Sequence, residues 1–221
     1  MYITKEIGEY KELLQQEQKR GLVLDIDETL SGSVWYFMEE LQKKFGNSEN
    51  LTVSELIEKY RYTHDVPDWK TEEAHTWMEE ASGSNELQKH LPIIPNANKI
   101  VQQINSIIPI VGYVTARPST VMEGTKQWLK SHDFPEAPLI LRPEGLALVN
   151  GSEWKAAVLE YLYPEACGIV DDNPALTAYV SGEYKGAIYL YNATVSSRSY
   201  IMVIPCSTWD DVLDNVRKYH E

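Results

Sequence analysis

Short apolar runs without polar interruptions are the feature that most constrains the fold of this chain. Uninterrupted runs are typical of strands covered on both faces of a parallel sheet, whereas half-exposed strands alternate apolar and polar residues. The runs that we predict as strands are residues 22–24, 110–114, 139–141, 169–170 (with Cys167 before them), 187–191 and 199–204. Helical periodicity separates or flanks them at 3–19, 97–104, 121–129, 157–162 and 208–219. This alternation predicts an α/β fold with an open, doubly wound, Rossmann-like parallel sheet.

One long segment, residues 31–94, interrupts the alternation of strands and helices. It contains no convincing strand, but it has helical stretches near 33–46, 52–61, 70–80 and 85–90. A segment of this length is too long for a simple crossover between neighbouring strands. We therefore predict a core domain of residues 1–30 and 95–221 with an inserted α-helical cap of residues 31–94.

Composition and charge limit the classes of function. The 221 residues are 43% hydrophobic, which indicates a globular protein. The longest apolar runs fall far short of the ~20 residues that cross a bilayer, and the polar N-terminus lacks the apolar core of a secretory signal, so we expect no membrane partner and a cytoplasmic location. With 20 basic and 33 acidic residues, the formal charge of −13 disfavours nucleic-acid polymers as partners. Cys167 and Cys206 are expected in the core, and the sequence does not predict the oligomeric state.

Polar residues follow three of the predicted strands. The first strand ends in Asp25-Ile26-Asp27, the second in Thr115-Ala116-Arg117, and the run at 169–170 in Asp171-Asp172. Because the carboxyl ends of parallel strands form one edge of a sheet, we expect these residues to meet in one crevice. Four carboxylates there would repel one another by on the order of several kcal/mol, and a bound cation would offset this repulsion. Hard oxygen ligands without His or Cys favour Mg²⁺ as that cation.

Lys155 is a second sign of an anionic ligand. The sequence places it in the first turn of a helix that begins near Ser152, where a cation opposes the helix dipole at a cost of a few tenths of a kcal/mol. A nearby anion explains the placement, because Lys155 could reach Asp25 and a bound phosphoryl group together. The alternatives are that Lys155 is a solvated surface residue and that Asp171-Asp172 merely starts a helix.

Taken in order, these motifs resemble those of the haloacid dehalogenase (HAD) superfamily. The pattern is a strand with Asp-x-Asp-x-Thr, a strand with Thr, a Lys that opens a later helix, and a strand that ends in paired acids. The residues that carry the resemblance are Asp25, Asp27, Thr29, Thr115, Lys155, Asp171 and Asp172. The resemblance covers roughly residues 20–180 and implies a HAD-like core whose cap lies between the first two motifs.

The resemblance also implies a reaction. Asp25 would be the nucleophile that forms an aspartyl-phosphate, and Asp27 would be the general acid that later acts as a base. An Asp two residues after the nucleophile is the mark of phosphoester hydrolysis in this superfamily. We therefore expect a Mg²⁺-dependent phosphomonoester hydrolase.

The remaining motif residues would bind the cation and the phosphoryl group. Mg²⁺ would be held by the Asp25 side chain, the Asp27 backbone carbonyl and Asp172, with Asp171 acting through water. Thr115 would hydrogen-bond a phosphoryl oxygen, or could instead satisfy a strand end, and Lys155 would balance the charge of nucleophile and phosphate.

The substrate would be a small phosphorylated metabolite, since a cap can cover the site and exclude water. The predicted substrate contacts are Thr29, Ala116, Arg117 and Trp35. Trp35 could stack on a nucleobase for ~1–3 kcal/mol, whereas the cap aromatics could also fill the core of the cap itself. Arg117 fits an ion pair outside the site equally well.

Several substrate classes and activities stay open. The pattern is similar to the deoxyribonucleotidase branch of the superfamily, although Glu28-Thr29 stands where that branch usually has Gly-Val. A nucleoside monophosphate and a sugar phosphate are both candidate substrates. The alternative activities are phosphoryl transfer to an acceptor other than water and non-catalytic binding of a phosphate or a partner.

Overall fold

A parallel sheet forms the centre of the computed structural model, which describes residues 2–196 and 200–220. The strands are β1 Gly21–Leu24, β2 Ile110–Pro118, β3 Leu139–Arg142, β4 Ala166–Asp171, β5 Ala187–Tyr191 and β6 Met202–Cys206. They form one sheet in the order β3-β2-β1-β4-β5-β6, and every neighbouring pair is parallel. The predicted parallel α/β sheet is confirmed.

The central strands are buried on both faces, as their uninterrupted apolar runs predict. Every residue of β1 and of β4 is buried. Because successive side chains of a strand point to opposite faces, Leu22 and Leu24 join one apolar cluster and Val23 joins another. We call these the first and the second core cluster.

Helices cover both faces of the sheet. Outside the insertion they are α1 Lys5–Gln16, α6 Ala97–Ile107, α7 Met122–Ser131, α8 Gly151–Leu162, α9 Ala175–Tyr179 and α10 Trp209–His220. Val101 of α6, Trp128 of α7 and Val212 of α10 belong to the first core cluster. Ile7 of α1 and Val158 of α8 belong to the second. The doubly wound arrangement is therefore confirmed.

Strand β6 departs from its predicted bounds. The apolar pattern predicted a strand at 199–204, and the observed strand is Met202–Cys206; Ser199 lies outside the described residues. β6 is an edge strand whose side chains are not uniformly buried, and it contains Pro205, which edge strands tolerate because one side of the strand needs no partner. The apolar run MVIPC located this strand, and the observed bounds lie two to three residues further along the chain than predicted.

The insertion between β1 and β2 is helical, as expected. It contains α2 Ser33–Phe45, α3 Val53–Tyr60, α4 Glu72–Ser82 and α5 Asn85–Gln88, with two short 3₁₀ turns at Thr63–Asp65 and Pro67–Trp69. Met38, Leu41, Leu56 and Trp69 form a buried cluster of their own. This separate apolar cluster is what a cap needs in order to hold its helices together.

The chain leaves and rejoins the core through two adjacent segments, which we call the crossing pair. Gly32 N donates a hydrogen bond to Pro92 O (2.9 Å), and Ile94 N donates one to Leu30 O (2.8 Å). Helix α5 lies against α7, Leu91 belongs to the first core cluster, and Leu87 packs against that cluster. The division at residues 30 and 95 stays a prediction, and the last part of the insertion contacts the core directly.

Two further observations bear on the sequence analysis. Among the described residues, no helix is long and apolar enough to cross a bilayer. Cys167 and Cys206 are buried free thiols, as expected.

Candidate active site

The loop after β1 turns sharply at the carboxyl edge of the sheet. Ile26 O accepts hydrogen bonds from the amides of residues 29–31 at 2.8–3.3 Å, and Asp25 N donates to Val170 O of β4 at 2.9 Å. Asp25 is only 4% exposed, whereas the side chain of Asp27 keeps 36% exposure. The turn therefore buries one carboxylate and leaves its neighbour open to solvent.

Lys155 joins the ends of two strands. Its Nζ lies 2.9 Å from Asp25 Oδ1 and 2.7 Å from Asp171 Oδ2, and its side chain is 7% exposed. Burial alone would lower the pKa of Lys155, but Asp171 and Asp25 raise it above its ordinary value, so the amine stays charged. The alternative of a solvated surface lysine is excluded by this burial.

The predicted position of Lys155 within its helix needs a correction. Helix α8 begins at Gly151, one residue before Ser152, so Lys155 is its fifth residue and lies just beyond the first turn. The helix dipole acts mainly on the terminal turn. The two carboxylates, and not the helix end, therefore account for the placement of this charge.

Three carboxylates can hold a metal ion. Asp25, Asp171 and Asp172 each offer an oxygen, and these oxygens lie within 4.8 Å of one another. Burial raises the pKa of Asp25 to about 7, with further contributions from Asp171 and Asp27. Burial and the charges of Asp171 and Asp25 also raise the pKa of Asp172. Burial and the neighbouring negative charges thus oppose ionisation of Asp25 and Asp172, and an oxygen-seeking divalent cation would offset that repulsion.

The Asp171 carboxylate already accepts hydrogen bonds from two donors. Its Oδ2 contacts Lys155, and its Oδ1 accepts a hydrogen bond from Asn173 N at 2.8 Å. Asp172 has no side-chain contact of this kind among the described residues and is only partly buried. Asp172 is therefore the freer of the two acids to bind a cation, and the expected indirect role of Asp171 stays a prediction.

Asp27 pairs with Arg117. Arg117 Nη2 donates to Asp27 Oδ1 at 2.8 Å, and Nε donates to both carboxylate oxygens at 3.0 and 3.2 Å. Burial would raise the pKa of Asp27, but the charge and hydrogen bonds of Arg117 lower it below its ordinary value. The sequence allowed an ion pair of Arg117 outside the site. In the structure, Arg117 forms its ion pair with Asp27, inside the site.

The other predicted site residues are also at this edge, in different settings. Thr29 is fully buried, and its hydroxyl accepts a hydrogen bond from Asp172 N at 3.1 Å. Thr115 is fully buried, and its Oγ1 accepts one from Arg117 N at 3.3 Å. Ala116 is partly exposed and its carbonyl is bonded by Arg142 Nε at 2.9 Å. The substrate contacts of Thr29 and Ala116 and the phosphoryl contact of Thr115 stay predictions.

The cap aromatics serve mainly to pack the insertion. Trp69 is buried in the apolar cluster of the insertion, and Phe37 contacts Trp77 edge to face at 6.5 Å between ring centroids. Tyr36 packs on the first core cluster. Trp35 differs, because it is 47% exposed. It is free to contact a ligand, and its predicted stacking stays a prediction.

Sequence reasoning missed three residues that support the site. Glu28 Oε1 accepts hydrogen bonds from Val34 N at 2.7 Å and from Ser33 Oγ at 3.2 Å. Trp209 Nε1 donates to Thr29 O at 3.0 Å, and Arg142 also donates to Leu146 O. Only Glu28 could have been found from the sequence, because it is an acid directly after the Asp-x-Asp pair. The contacts of Trp209 and Arg142 join segments that are far apart in the chain.

Fold and site together define an α/β protein with a buried lysine and a group of acids at the carboxyl edge of its sheet. No protein-family model matches the chain, and no curated protein is detectably similar to it in sequence. Among solved structures, it is similar to a candidate beta-phosphoglucomutase from Thermotoga maritima, with 13% identity and a TM-score of 0.48 over 90% of this chain and 99% of that chain. A similarity of this size does not by itself establish a shared activity.

Proposed function

We propose that the protein is a HAD-type phosphomonoester hydrolase that requires Mg²⁺ and acts through an aspartyl-phosphate. The observation that carries the proposal is the contact of Asp25 with Lys155, at 2.9 Å, within a group of three carboxylates. A carboxylate with a fixed cation beside it is a suitable nucleophile for a phosphate dianion, whose charge would otherwise repel it.

The proposed reaction has two steps. The Asp25 carboxylate attacks phosphorus while Asp27 gives a proton to the departing oxygen, and the alcohol leaves. Asp27 then takes a proton from water, whose oxygen attacks phosphorus and releases Asp25 and inorganic phosphate. The exposure of Asp27 on the open side of the site suits a group that must reach both the leaving oxygen and the water.

Each remaining charged group has a part in this scheme. Asp25, Asp172 and the backbone carbonyl of Asp27 would hold Mg²⁺, which supplies charge neutralisation for nucleophile and phosphate. Lys155 stays protonated between Asp25 and Asp171 and offsets the negative charge that the substrate brings. Asp171 fixes Lys155 rather than acting on the substrate.

The favoured substrate is a small phosphomonoester, with nucleoside monophosphates and sugar phosphates as candidates. Exposed Trp35 on the first helix of the cap supports a ligand with a stacking surface. The net charge of −13 supports a protein that does not bind nucleic-acid polymers. A cytoplasmic location completes the proposal.

The test is phosphate release from a panel of nucleoside monophosphates and sugar phosphates with Mg²⁺. We expect wild type to turn over at least one member and Asp25→Asn to lose about 10³-fold or more in kcat, because the amide is isosteric but not nucleophilic. Asp214→Asn, the same change on an exposed site of α10, should keep full activity. Adding alcohol acceptors separates hydrolysis from phosphoryl transfer.

Two results would count against the proposal. An Asp25→Asn protein with wild-type turnover would remove Asp25 from the role of nucleophile. A wild-type protein that binds Mg²⁺ but releases no phosphate from any panel member would favour non-catalytic binding.

A further inference from the structure

The guanidinium of Arg117 is buried and surrounded by hydrogen-bond partners and an aromatic ring. Its side chain is 4% exposed, and its Nε and Nη2 are both bonded to Asp27. Its Nη1 donates to Thr125 Oγ1 at 3.3 Å, and the guanidinium lies 5.8 Å from the ring centroid of Trp128. A guanidinium in this setting has little surface left for a substrate.

The support behind Arg117 is itself anchored. Trp128 is fully buried, and its Nε1 donates to Leu91 O at 2.7 Å. Thr125 is fully buried on the same helix, α7. The position of the guanidinium is therefore determined by packing within the core and not by solvent or a mobile loop.

The contact orients the Asp27 carboxylate and leaves one side of it accessible. Oδ1 accepts two of the three hydrogen bonds from Arg117, and Oδ2 accepts one. The Asp27 side chain remains 36% exposed, so the pair is closed on the Arg117 side and open on the other. Bidentate contacts of this kind fix both the position and the plane of a carboxylate.

We propose that Arg117 is a positioning residue, which fixes the Asp27 carboxylate where it can protonate the leaving oxygen and then deprotonate water. This inference rests on the proposed function, and it replaces the predicted substrate contact of Arg117. The proton balance is that of the two-step reaction: Asp27 gives one proton as the P–O bond to the alcohol breaks, and regains one as water forms its bond to phosphorus.

The test compares leaving groups in wild type, Arg117→Gln and Arg117→Lys. An alkyl phosphate needs protonation of a poor leaving group, whereas p-nitrophenyl phosphate releases a stable anion and needs little help. General acids contribute about 10²–10⁴-fold. Only the first step depends on the leaving group, because both substrates form the same aspartyl-phosphate. We therefore expect Arg117→Gln to slow the first step, measured as single-turnover release of the alcohol or phenol, by about 10²-fold on an alkyl phosphate but by less than about 5-fold on p-nitrophenyl phosphate. Hydrolysis of the aspartyl-phosphate should slow equally for both substrates, with little change in KM.

Two further variants sharpen this comparison. Asp27→Asn should show the same selective loss, and Arg117→Gln added to Asp27→Asn should cost little more on the alkyl phosphate, because both changes remove one effect. Arg117→Lys should restore part of the loss, since it keeps one charged donor. If Arg117→Gln does not fold, Arg117→Lys carries the same leaving-group comparison.

Three results overturn the inference. A rise in KM on both substrates with kcat unchanged would make Arg117 a substrate-binding residue. An equal fall in the rate of the first step on both substrates would make its role purely structural. Wild-type protein inactive on both substrates would remove the proposed function and this inference with it, whereas an active wild type with either of the first two patterns removes the inference alone.

Discussion

At the scale of single residues, Glu28 combines a strained backbone with a specific contact. Its φ of 56° lies in the left-handed region, which costs residues with a Cβ roughly 1–2 kcal/mol and favours glycine. Its carboxylate accepts hydrogen bonds at the start of α2, where the N-cap residue, Gly32, has no side chain to do so. Glu28 therefore performs the capping role from four residues before the cap position.

Substitution at Glu28 separates these two effects. Glu28→Ala loses the capping contact and keeps the strain, so we expect it to lower the free energy of unfolding by about 1–2 kcal/mol. Glu28→Gly loses the same contact but relieves the strain, and should be more stable than Glu28→Ala by about 1 kcal/mol. Urea unfolding at fixed pH measures both.

The control for this pair is Glu39→Ala, which removes an exposed acid from the same helix and should change stability by less than about 0.5 kcal/mol. Equal stability of the alanine and glycine variants would mean that the left-handed backbone carries no cost at this position.

The sequence predicted which charged residues would meet, but not every partner. Asp25, Asp171, Asp172 and Lys155 follow from strand ends and helix placement, because parallel strands bring their carboxyl ends together. The pairing of Arg117 with Asp27 does not follow, since strand position sets the location of a backbone and not the direction of a long side chain. The left-handed backbone conformation of Glu28 could not be predicted either, because glutamate has no preference for that conformation.

At the scale of elements, the apolar runs located the strands of the sheet, and the bounds of the edge strand β6 were predicted less accurately. β1, residues 110–114 of β2 and β4 up to Val170 are uninterrupted apolar runs, whose burial on both faces leaves one consistent assignment. β6, with the sequence MVIPC, is also apolar throughout, and the prediction of a strand at 199–204 found it with shifted bounds. The close packing of α5 on α7 could not be predicted from the sequence, because it depends on one small residue, Gly124.

Gly124 permits this close approach of two helices. A Cβ at this position would lie 2.2 Å from Asn85 O, and Gly124 N donates to Asn85 Oδ1 at 2.7 Å. Gly124→Ala should therefore destabilise the protein by about 1–3 kcal/mol through overpacking. Thermal unfolding measures the effect.

Gly8→Ala is the matched control, because Gly8 lies within α1 and its Cβ would meet only Tyr161 OH at an ordinary 3.6 Å. Alanine there should stabilise the protein by up to about 1 kcal/mol. If both alanine variants shift the melting temperature in the same direction, the helix contact is not as tight as described.

At the scale of the whole molecule, an acidic protein concentrates further acids at one edge of its sheet. The chain carries a formal charge of −13. At the site, Asp25, Asp27, Glu28, Asp171 and Asp172 face Lys155 and Arg117, so five acids meet two cations. Folding brings these acids together, and the stability of the metal-free protein should therefore depend on pH.

The direction of this dependence follows from the raised pKa values. The pKa of Asp25 is raised to about 7 by burial and that of Asp172 is also raised, so the folded protein retains protons that the unfolded chain has released. Stability therefore falls as pH rises from about 4 to 7 in the absence of divalent cations. Melting temperatures across this range, in chelator, should decrease.

Divalent cations should reverse the loss at pH 7. Mg²⁺ at 100 times its Kd would add about 2.7 kcal/mol, a rise in melting temperature of roughly 5–10 °C for a chain of this size. The rise should be smaller at pH 5, where protons compete for the carboxylates, and absent in Asp172→Asn. A Mg²⁺ effect independent of pH would indicate that the ion binds elsewhere.

The crossing pair has a consequence for the modularity of the chain. Since Leu30–Gly32 and Pro92–Ile94 lie side by side and are joined by backbone hydrogen bonds, everything between them leaves and returns through one narrow point of the core. Insertions with neighbouring ends can be exchanged with little disturbance of the host domain. The helices around Met38, Leu41, Leu56 and Trp69 could thus vary while the sheet keeps its register, whereas α5 and Leu91, which pack on the core, would have to be kept.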